Sequence, residues 1–446
     1  RFRATTTDPG TSDVQQTPTG IEWCHRRLLA RIHRLTVEGL RRQIRPIDVP
    51  TFQRFLARHH GLHPGTQRTG SGGLFEVIGL LQGLDVPAGN WETDLLSKRL
   101  AGYRESWLDE LTLSGEVGWG RLYPSAAAFE RTRPMSSLSR TAPLGLFLRE
   151  DLHWLTHWGR VPNPDSLGDT ARDLFDRLDK NGAQFATDLL KPTGLLPDQL
   201  TSSLGELVRR GLVTCDTFAG VRQIVAGTAS RRGRRGRRIR TRQPVGGAGR
   251  WSIWRRGQPD DPDTSAGTES DSAQRMAEAD ALEQWAWQLL RRWGVVFRDL
   301  LAREPGAPRW WQLLSVFRRL EARGEIRGGR FVEGPGGEQF ALGETVRRLR
   351  QLLDEALQDN EPETEILVIS ATDPLNLVGI LTDTGRVPAT SQNRVALVNG
   401  RPVAAITGGE LEWLEDLDET TRLAVEAELP RPGSLPPRPV LATETH

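Results

Sequence analysis

Between Ile21 and Ile44 apolar residues recur at helical spacing. Leu28, Leu29, Ile32, Leu35 and Leu40 form one stripe, while Arg27, Arg31, Arg34, Arg41 and Arg42 fall mostly away from it. The spacing predicts a long helix with its apolar stripe toward a core and a wet basic face, the alternative being phosphate contact by that face. Further along, the pattern repeats. GAQFATDLL at 182–190 resembles GVVFRDLL at 294–301, and about twenty residues after each a second helix ends on glycine and an apolar strand begins. Those endings are LGELVRRGLV (204–213) and FRRLEARGEI (317–326), with a weaker third copy in WLDELTLSGEV (107–117). Gly115, Gly211 and Gly324 each stand where a helix end needs a left-handed residue.

Helix, turn, helix, glycine and then a β hairpin is the winged-helix pattern, in which the second helix can enter the major groove and the hairpin can reach the backbone. The segment LVTCDTFAGVRQIVAG after Gly211 has strand composition, and RWSIW (250–254) is expected as its return strand. EIRGGRFVEGPGGEQFAL, after Gly324, predicts two strands about the loop Gly334–Gly337. Beyond Glu365 the pattern changes to short strands, EILVIS, NLVGILT, RVALVNG and RPVAAITGG, separated by turn residues. The expected class is therefore α+β: tandem winged-helix domains followed by a small C-terminal β-barrel. The expected divisions are a linker at 1–20, a helical or winged-helix domain at 21–125, a winged-helix domain with an arginine-rich insertion at 140–256, a disordered linker at 257–280, a winged-helix domain at 281–355, the barrel at 365–415 and a disordered tail at 430–446.

A length of 446 residues suits about three domains at ~150 residues each. The formal charge of +2 conceals an asymmetry. Eleven arginines and no acid lie from Arg231 to Arg256, whereas Asp260 to Glu283 holds eight acids and one base. Two cysteines, Cys24 and Cys215, cannot make a disulfide framework or a zinc cage, which favours a reducing cytoplasm. No run reaches the ~18 apolar residues of a membrane span. The opening Arg1 suggests a piece of a longer polypeptide with an enzymatic domain elsewhere.

The densest charge is SRRGRRGRRIRTRQP at 230–244, carrying Arg231, Arg232, Arg234, Arg235, Arg237, Arg238, Arg240 and Arg242. Extending a wing, it suits a backbone tracker, because Gly233 and Gly236 keep it from presenting a fixed helical face. The bland reading is a solvated insertion in a protein with fifty-six arginines and three lysines. On the last of the second helices, Arg309, Gln312, Arg318, Arg319 and Arg323 are expected to face nucleic acid and Leu313, Phe317 and Leu320 the core. Trp310 and Trp311 are candidates either for stacking on bases or for packing. His59, His60 and His63 cluster, and His153 and His157 stand four apart, but neither group carries the supporting ligands of a zinc site. No G-x-x-x-x-G-K-[ST] loop occurs, so this stretch is not expected to hydrolyse ATP by itself.

Three long phrases carry a family resemblance: IEWCHRRLLARIHRLTVEGLRRQI, GVVFRDLLAREPGAPRWWQLLSVFRRLEARGEIRGGRFVEGPGGEQFAL and SATDPLNLVGILTDTGRVPATSQNRVALVNGRPVA. From Ile21 to about Leu414 the chain resembles the C-terminal region of Lhr, the large helicase-related family of superfamily 2 DNA helicases. The resemblance implies an ATP- and Mg-dependent 3′ to 5′ motor elsewhere in the same polypeptide, with no cofactor in this chain. It also implies a role in DNA repair, self-association into oligomers such as tetramers, and partners among single-stranded DNA, duplex DNA and RNA–DNA hybrids. It further implies similarity to tandem winged-helix DNA glycosylases that remove uracil or alkylated bases. Those glycosylases use a Gln–apolar–Gln or Gln–apolar–Asp motif. The nearest text here, Gln339-Phe340-Ala341, lacks the second polar group, so the site does not carry over. Asp373, in SATDPLNL, is the alternative catalytic carboxylate, and a turn-forming Asp before Pro is its structural counterpart. Arg386, Asn393 and Arg394 either line the barrel's nucleic-acid face or stabilise its loops. A protein-binding scaffold is the third reading.

Overall fold

Three segments of the chain fold to one plan, and the glycines expected at their helix ends are where that plan turns. A computed structural model describes residues 24–42, 44–124, 138–159, 164–223, 225, 249–255, 268–358 and 364–429. The expected linker at 1–20, the arginine run at 230–244 and the tail at 430–446 lie outside the described residues.

Two helices, α1 (Arg26–Arg42) and α2 (Val49–His59), precede the copies. The first copy runs through α3 (Gly70–Leu81), β1 (Val86–Pro87), a π-helical turn (Trp91–Leu96) continued by α4 (Ser97–Arg99), α5 (Glu105–Ser114), β2 (Val117–Gly120) and β3 (Pro143–Leu148), with α6 (Leu152–Leu155) behind it. In the second stand α7 (Asp169–Asn181), β4 (Gln184–Phe185), α8 (Ala186–Thr193), α9 (Pro197–Arg209), β5 (Val213–Cys215) and β6 (Arg250–Ile253). The third comprises α10 (Thr268–Trp293), β7 (Val295–Val296), a 3-10 turn (Arg298–Arg303), α11 (Trp310–Arg323), β8 (Ile326–Gly329) and β9 (Gln339–Leu342). Each sheet is antiparallel, and its last strand lies between the other two: β1-β3-β2, β4-β6-β5 and β7-β9-β8. Gly115, Gly211 and Gly324 have φ of 84°, 72° and 79°, the left-handed values their positions demanded.

Several expectations are corrected. β3 completes the first sheet although it lies beyond residue 125, so a boundary at 140 would cut one winged helix in two. After β5 the chain turns at once into a short helix at 219–223 instead of a strand, because Phe218 and Val221 are buried in the core. Residues 268–280 of the expected disordered linker are helical as the start of α10, where Ala273, Ala277 and Ala279 supply strong helix propensity.

The apolar stripe of α1 does not face a core. Leu28, Leu29, Ile32 and Leu35 are 38–58% exposed. The helix is held near its far end, where Arg41 grips Glu321 with two bonds of 2.9 and 2.6 Å. Just beyond, the Ile47 N–H donates to Phe331 (2.8 Å), joining this segment to the third wing.

After α12 (Gly343–Gln358) comes a four-stranded antiparallel meander in the order β10 (Ile366–Ser370), β11 (Arg394–Val398), β12 (Arg401–Thr407), β13 (Glu410–Trp413), covered by α13 (Glu419–Glu428). Among the described residues the sheet is open, with β10 and β13 as its edges, so the expected barrel closure is absent there. NLVGILT forms turns, not a strand, because Leu377 and Val378 are drawn into the core of the neighbouring winged helix.

Two large cores organise these parts. One is shared by the first two copies, where Trp119 and Trp251 meet edge to face at 6.1 Å. The other gathers Phe52, Phe55 and Leu56 of α2, Trp285 and Trp293 of α10, Leu313 and Phe317 of α11, Ile369 of β10 and Leu375 of the turn that follows it. The N-terminal helix α2 thus packs with the last winged helix, far from it in sequence.

Candidate nucleic-acid interface

Helix α11 is fixed by Leu313, Val316, Phe317 and Leu320, all buried. This spacing leaves Trp311, Ser315, Arg318 and Ala322 along the opposite, exposed face. Trp310 and Trp311 part company. Trp310 packs on Phe317 at 5.9 Å, whereas Trp311 is 66% exposed. Gln312 is not a free reader of bases, since its Oε1 accepts the Arg309 N–H (3.1 Å) and caps the helix. Arg309 itself is exposed at the helix start.

The arginines of this face have partners. Arg318 donates twice to Glu338 of the wing (3.0 and 3.2 Å), and Arg319 and Arg323 meet Glu283 of α10 (2.9 and 3.4 Å). These pairs are solvent-accessible and worth about 0–1 kcal/mol each, so a phosphate can displace the carboxylate. On the hairpin itself Arg327 and Arg330 are exposed, and among the described residues neither forms an ion pair. Gln339, the residue closest to the glycosylase pattern, is fully buried. Its Oε1 accepts the N–H groups of Phe331 and Val332 (both 2.8 Å), and its Nε2 donates to the Val332 carbonyl (2.8 Å). It ties the wing to its stem.

In the second copy, β5 and β6 pair in register from Val213–Ile253 to Cys215–Trp251. The segment carrying Arg231, Arg232, Arg234, Arg235, Arg237, Arg238, Arg240 and Arg242 therefore connects two paired strands, although those residues themselves lie outside the described ones. Asp216 secures the return, accepting from the Arg250 N–H (2.7 Å) and guanidinium (2.9 Å).

With three winged-helix sheets of identical strand order in view, comparison with known proteins is decisive. Residues 47–133 and 275–361 match two family models, both described as a large helicase-related protein winged-helix domain. The chain is an Lhr-type winged-helix region. It is 33% identical over 403 residues to the "Lhr helicase/ probable uracil glycosylase" of Mycolicibacterium smegmatis, an alignment covering 86% of this chain and 25% of the relative. It is also 26% identical over 434 residues to the "Lhr helicase/uracil glycosylase" of Escherichia coli, covering 87% and 25%. The chain thus spans about a quarter of the length of these relatives.

Within this Lhr-type region the remaining candidates gather at a buried junction between the first copy and the C-terminal sheet. Asp373 is 1% exposed and receives both guanidinium nitrogens of Arg99 (2.8 and 2.9 Å). It also accepts the Leu375 N–H, while Arg303 donates to its main-chain carbonyl. Both carboxylate oxygens are committed to hydrogen bonds, as the turn-forming role weighed beside a catalytic one would have it. Arg394 reaches Asp94 (3.0 Å), and Asn393 spans Pro388 and Gly408. Arg394 stitches the sheet to the π-helical turn and Asn393 ties together loops of the sheet itself, whereas Arg386 is exposed. Burial pushes the Asp94 carboxyl up despite Arg394 beside it and pushes the Lys98 ammonium down. Sequence reasoning missed Asp94, Arg99 and Lys98 because their partners lie some 270 to 300 positions away.

The histidines are tied to backbone. His59 and His60 bond the carbonyls of Arg291 (2.6 Å) and Arg292 (2.9 Å), and His153 that of Glu150 (2.8 Å).

Proposed function

We propose that this chain is the C-terminal nucleic-acid-binding and subunit-joining region of an ATP-dependent Lhr-type DNA helicase acting in repair, its ATP- and Mg-using motor lying elsewhere in the same polypeptide. The observation that carries the reading is the third winged helix. Its second helix offers Trp311 and Arg318 on one exposed face, with Arg309 exposed at the helix start, next to a hairpin bearing Arg327 and Arg330. The sequence between β5 and β6 of the second copy adds eight arginines, suited to following phosphates of DNA or of an RNA–DNA hybrid. Titration of labelled single-stranded, duplex and hybrid oligonucleotides at several salt concentrations tests it. Affinity that falls steeply with salt is expected, and replacing Arg231–Arg242 with serines should flatten the slope. The absence of binding at low salt would reduce the chain to a protein-binding scaffold, and light scattering measures its self-association.

Both relatives carry uracil glycosylase in their names, which favours a second reading as a base-excising enzyme. Asp373 is poorly suited to that chemistry because its oxygens already hold Arg99. Incubation with a uracil-containing strand followed by alkali cleavage at abasic sites tests this reading.

A further inference from the structure

A cleft of about 480 Å³ opens where the end of α2 and the loop after it meet the last turn of α10 and the start of α12. Four guanidinium groups line it: Arg58 from the end of α2, Arg68 from the loop before α3, Arg291 from the last turn of α10 and Arg348 from the second turn of α12. Against them the lining offers a single carboxylate, Glu344. His59 and Thr345 complete its polar wall.

Packing does not call for four cations around one cavity, since like charges repel and each must be kept hydrated or paired. The pairing present is loose. Arg58 meets Glu355 at 3.1 Å and Arg68 meets Glu76 at 3.0 Å, but these acids are 58% and 68% exposed, well above the 32% and 26% of their arginines. Arg348 bonds Glu344 on its own helix at 2.5 Å. Among the described residues Arg291 takes part in no ion pair, and the Nε of Arg58 is buried without an acceptor. The local field is felt by His59: burial, followed by the charges of Arg348 and Arg68, holds its imidazole below the ordinary range, against the pull of its bond to the Arg291 carbonyl. Exposed pairs of this kind contribute little and yield readily to a better acceptor. A phosphate is such an acceptor, because its oxygens match the planar donor fork of arginine. The first turn of α12 adds the positive end of a 16-residue helix to the same wall.

We propose that this arginine cleft is a phosphate-binding site and that it holds phosphates of the nucleic-acid strand the region engages, a deepening that rests on the nucleic-acid reading above. Phosphate groups reach such a cleft either on a strand or on a small free ligand, and the two sources are separable.

The test uses the 446-residue chain and the double variant Arg291→Gln/Arg348→Gln, both of whose side chains are exposed enough to leave folding intact, as thermal unfolding would verify. Single-strand binding should weaken about tenfold at low salt, and the slope of log K against log salt should flatten by about 1.4, at about 0.7 per phosphate. Arg291→Lys/Arg348→Lys should restore most of the slope, because point charge is kept while the fork is lost. Calorimetry with inorganic pyrophosphate forms the second arm. Pyrophosphate heat that the Gln variant abolishes, together with unchanged oligonucleotide binding, would overturn the strand as the source and leave a free phosphate ligand. Unchanged behaviour in both arms would overturn the site. If the wild-type chain binds no oligonucleotide at all, the nucleic-acid reading fails by itself, and the pyrophosphate arm still decides whether the cleft takes phosphate.

Discussion

Removing the Asp373 carboxylate should cost far more stability than removing any acid on the surface. Arg99 is 0% exposed and Asp373 1%, and they share two bonds of 2.8 and 2.9 Å. In Asp373→Ala the guanidinium stays buried, with the Leu95 carbonyl at 3.2 Å as its remaining acceptor. Breaking a buried pair from one side costs about 3–5 kcal/mol, and the orphaned Leu375 N–H adds about 1 kcal/mol. The double replacement Arg99→Met/Asp373→Leu removes both charges and should cost well under the sum of the two single changes, since no ion is left unpaired. Urea unfolding followed by tryptophan fluorescence measures this, fourteen tryptophans being distributed through the chain. With a slope of about 3 kcal/mol per molar, the Asp373→Ala midpoint should fall by about 1–2 M. A midpoint that hardly moves, accompanied by loss of uracil excision, would refute the structural role and make Asp373 a catalytic group.

His60 is fully buried, and burial, reinforced by Arg99 and His59, holds its imidazole well below the usual histidine value of 6.5. Because the unfolded chain takes up that proton and the folded one resists it, stability is fully present above pH 6.5 and declines as pH falls below it. His60→Gln should show a flatter profile of melting temperature against pH; an identical profile would remove His60 as a contributor. Gly211→Ala and Gly324→Ala both force alanine into a left-handed conformation costing about 1–2 kcal/mol, but only at Gly211 would the new Cβ lie 2.7 Å from a backbone oxygen, that of Arg121. Gly211→Ala should therefore melt at the lower temperature, and equal melting would show that the first and second copies separate easily. Trp311→Ala should leave melting nearly unchanged, since the ring is 66% exposed, yet weaken single-strand binding by about 1–3 kcal/mol through lost stacking.

What was legible in the sequence follows the range of the physics involved. Glycine after a helix is a local steric signal, so Gly115, Gly211 and Gly324 could be placed from neighbours alone. The β8–β9 hairpin was equally local, its loop residues Gly334 and Gly337 both having positive φ. NLVGILT has strand composition too, but composition does not say where apolar groups are buried. Leu377 and Val378 enter a core built largely by α10 and α11, and the backbone bends to deliver them. The same limit hid the docking of α2, whose Phe52 meets Phe297 at 5.9 Å across some 245 positions. It also misled for α1, where the periodicity was genuine but named no covering surface.

For the candidate site the deciding quantity is which charges have partners, and that is set by the fold. Arg394 and Arg386 stand eight positions apart in one loop-rich phrase. One is closed onto Asp94 of a distant helical turn, while the other is exposed. Arg58 and Arg291 look like unremarkable members of an arginine-rich composition, until the meeting of α2 with α10 sets them around one cavity. A run such as 230–244 draws attention because its charge is concentrated along the chain. A cleft assembled from four separate elements concentrates charge in space, so that several guanidinium groups can meet one phosphate at once. If both contribute, the arginine run should dominate the salt dependence of encounter, and the cleft should dominate the lifetime of the complex. Stopped-flow dissociation of a labelled strand separates the two: the Arg291→Gln/Arg348→Gln change should accelerate release, and serine substitution of the run should slow association.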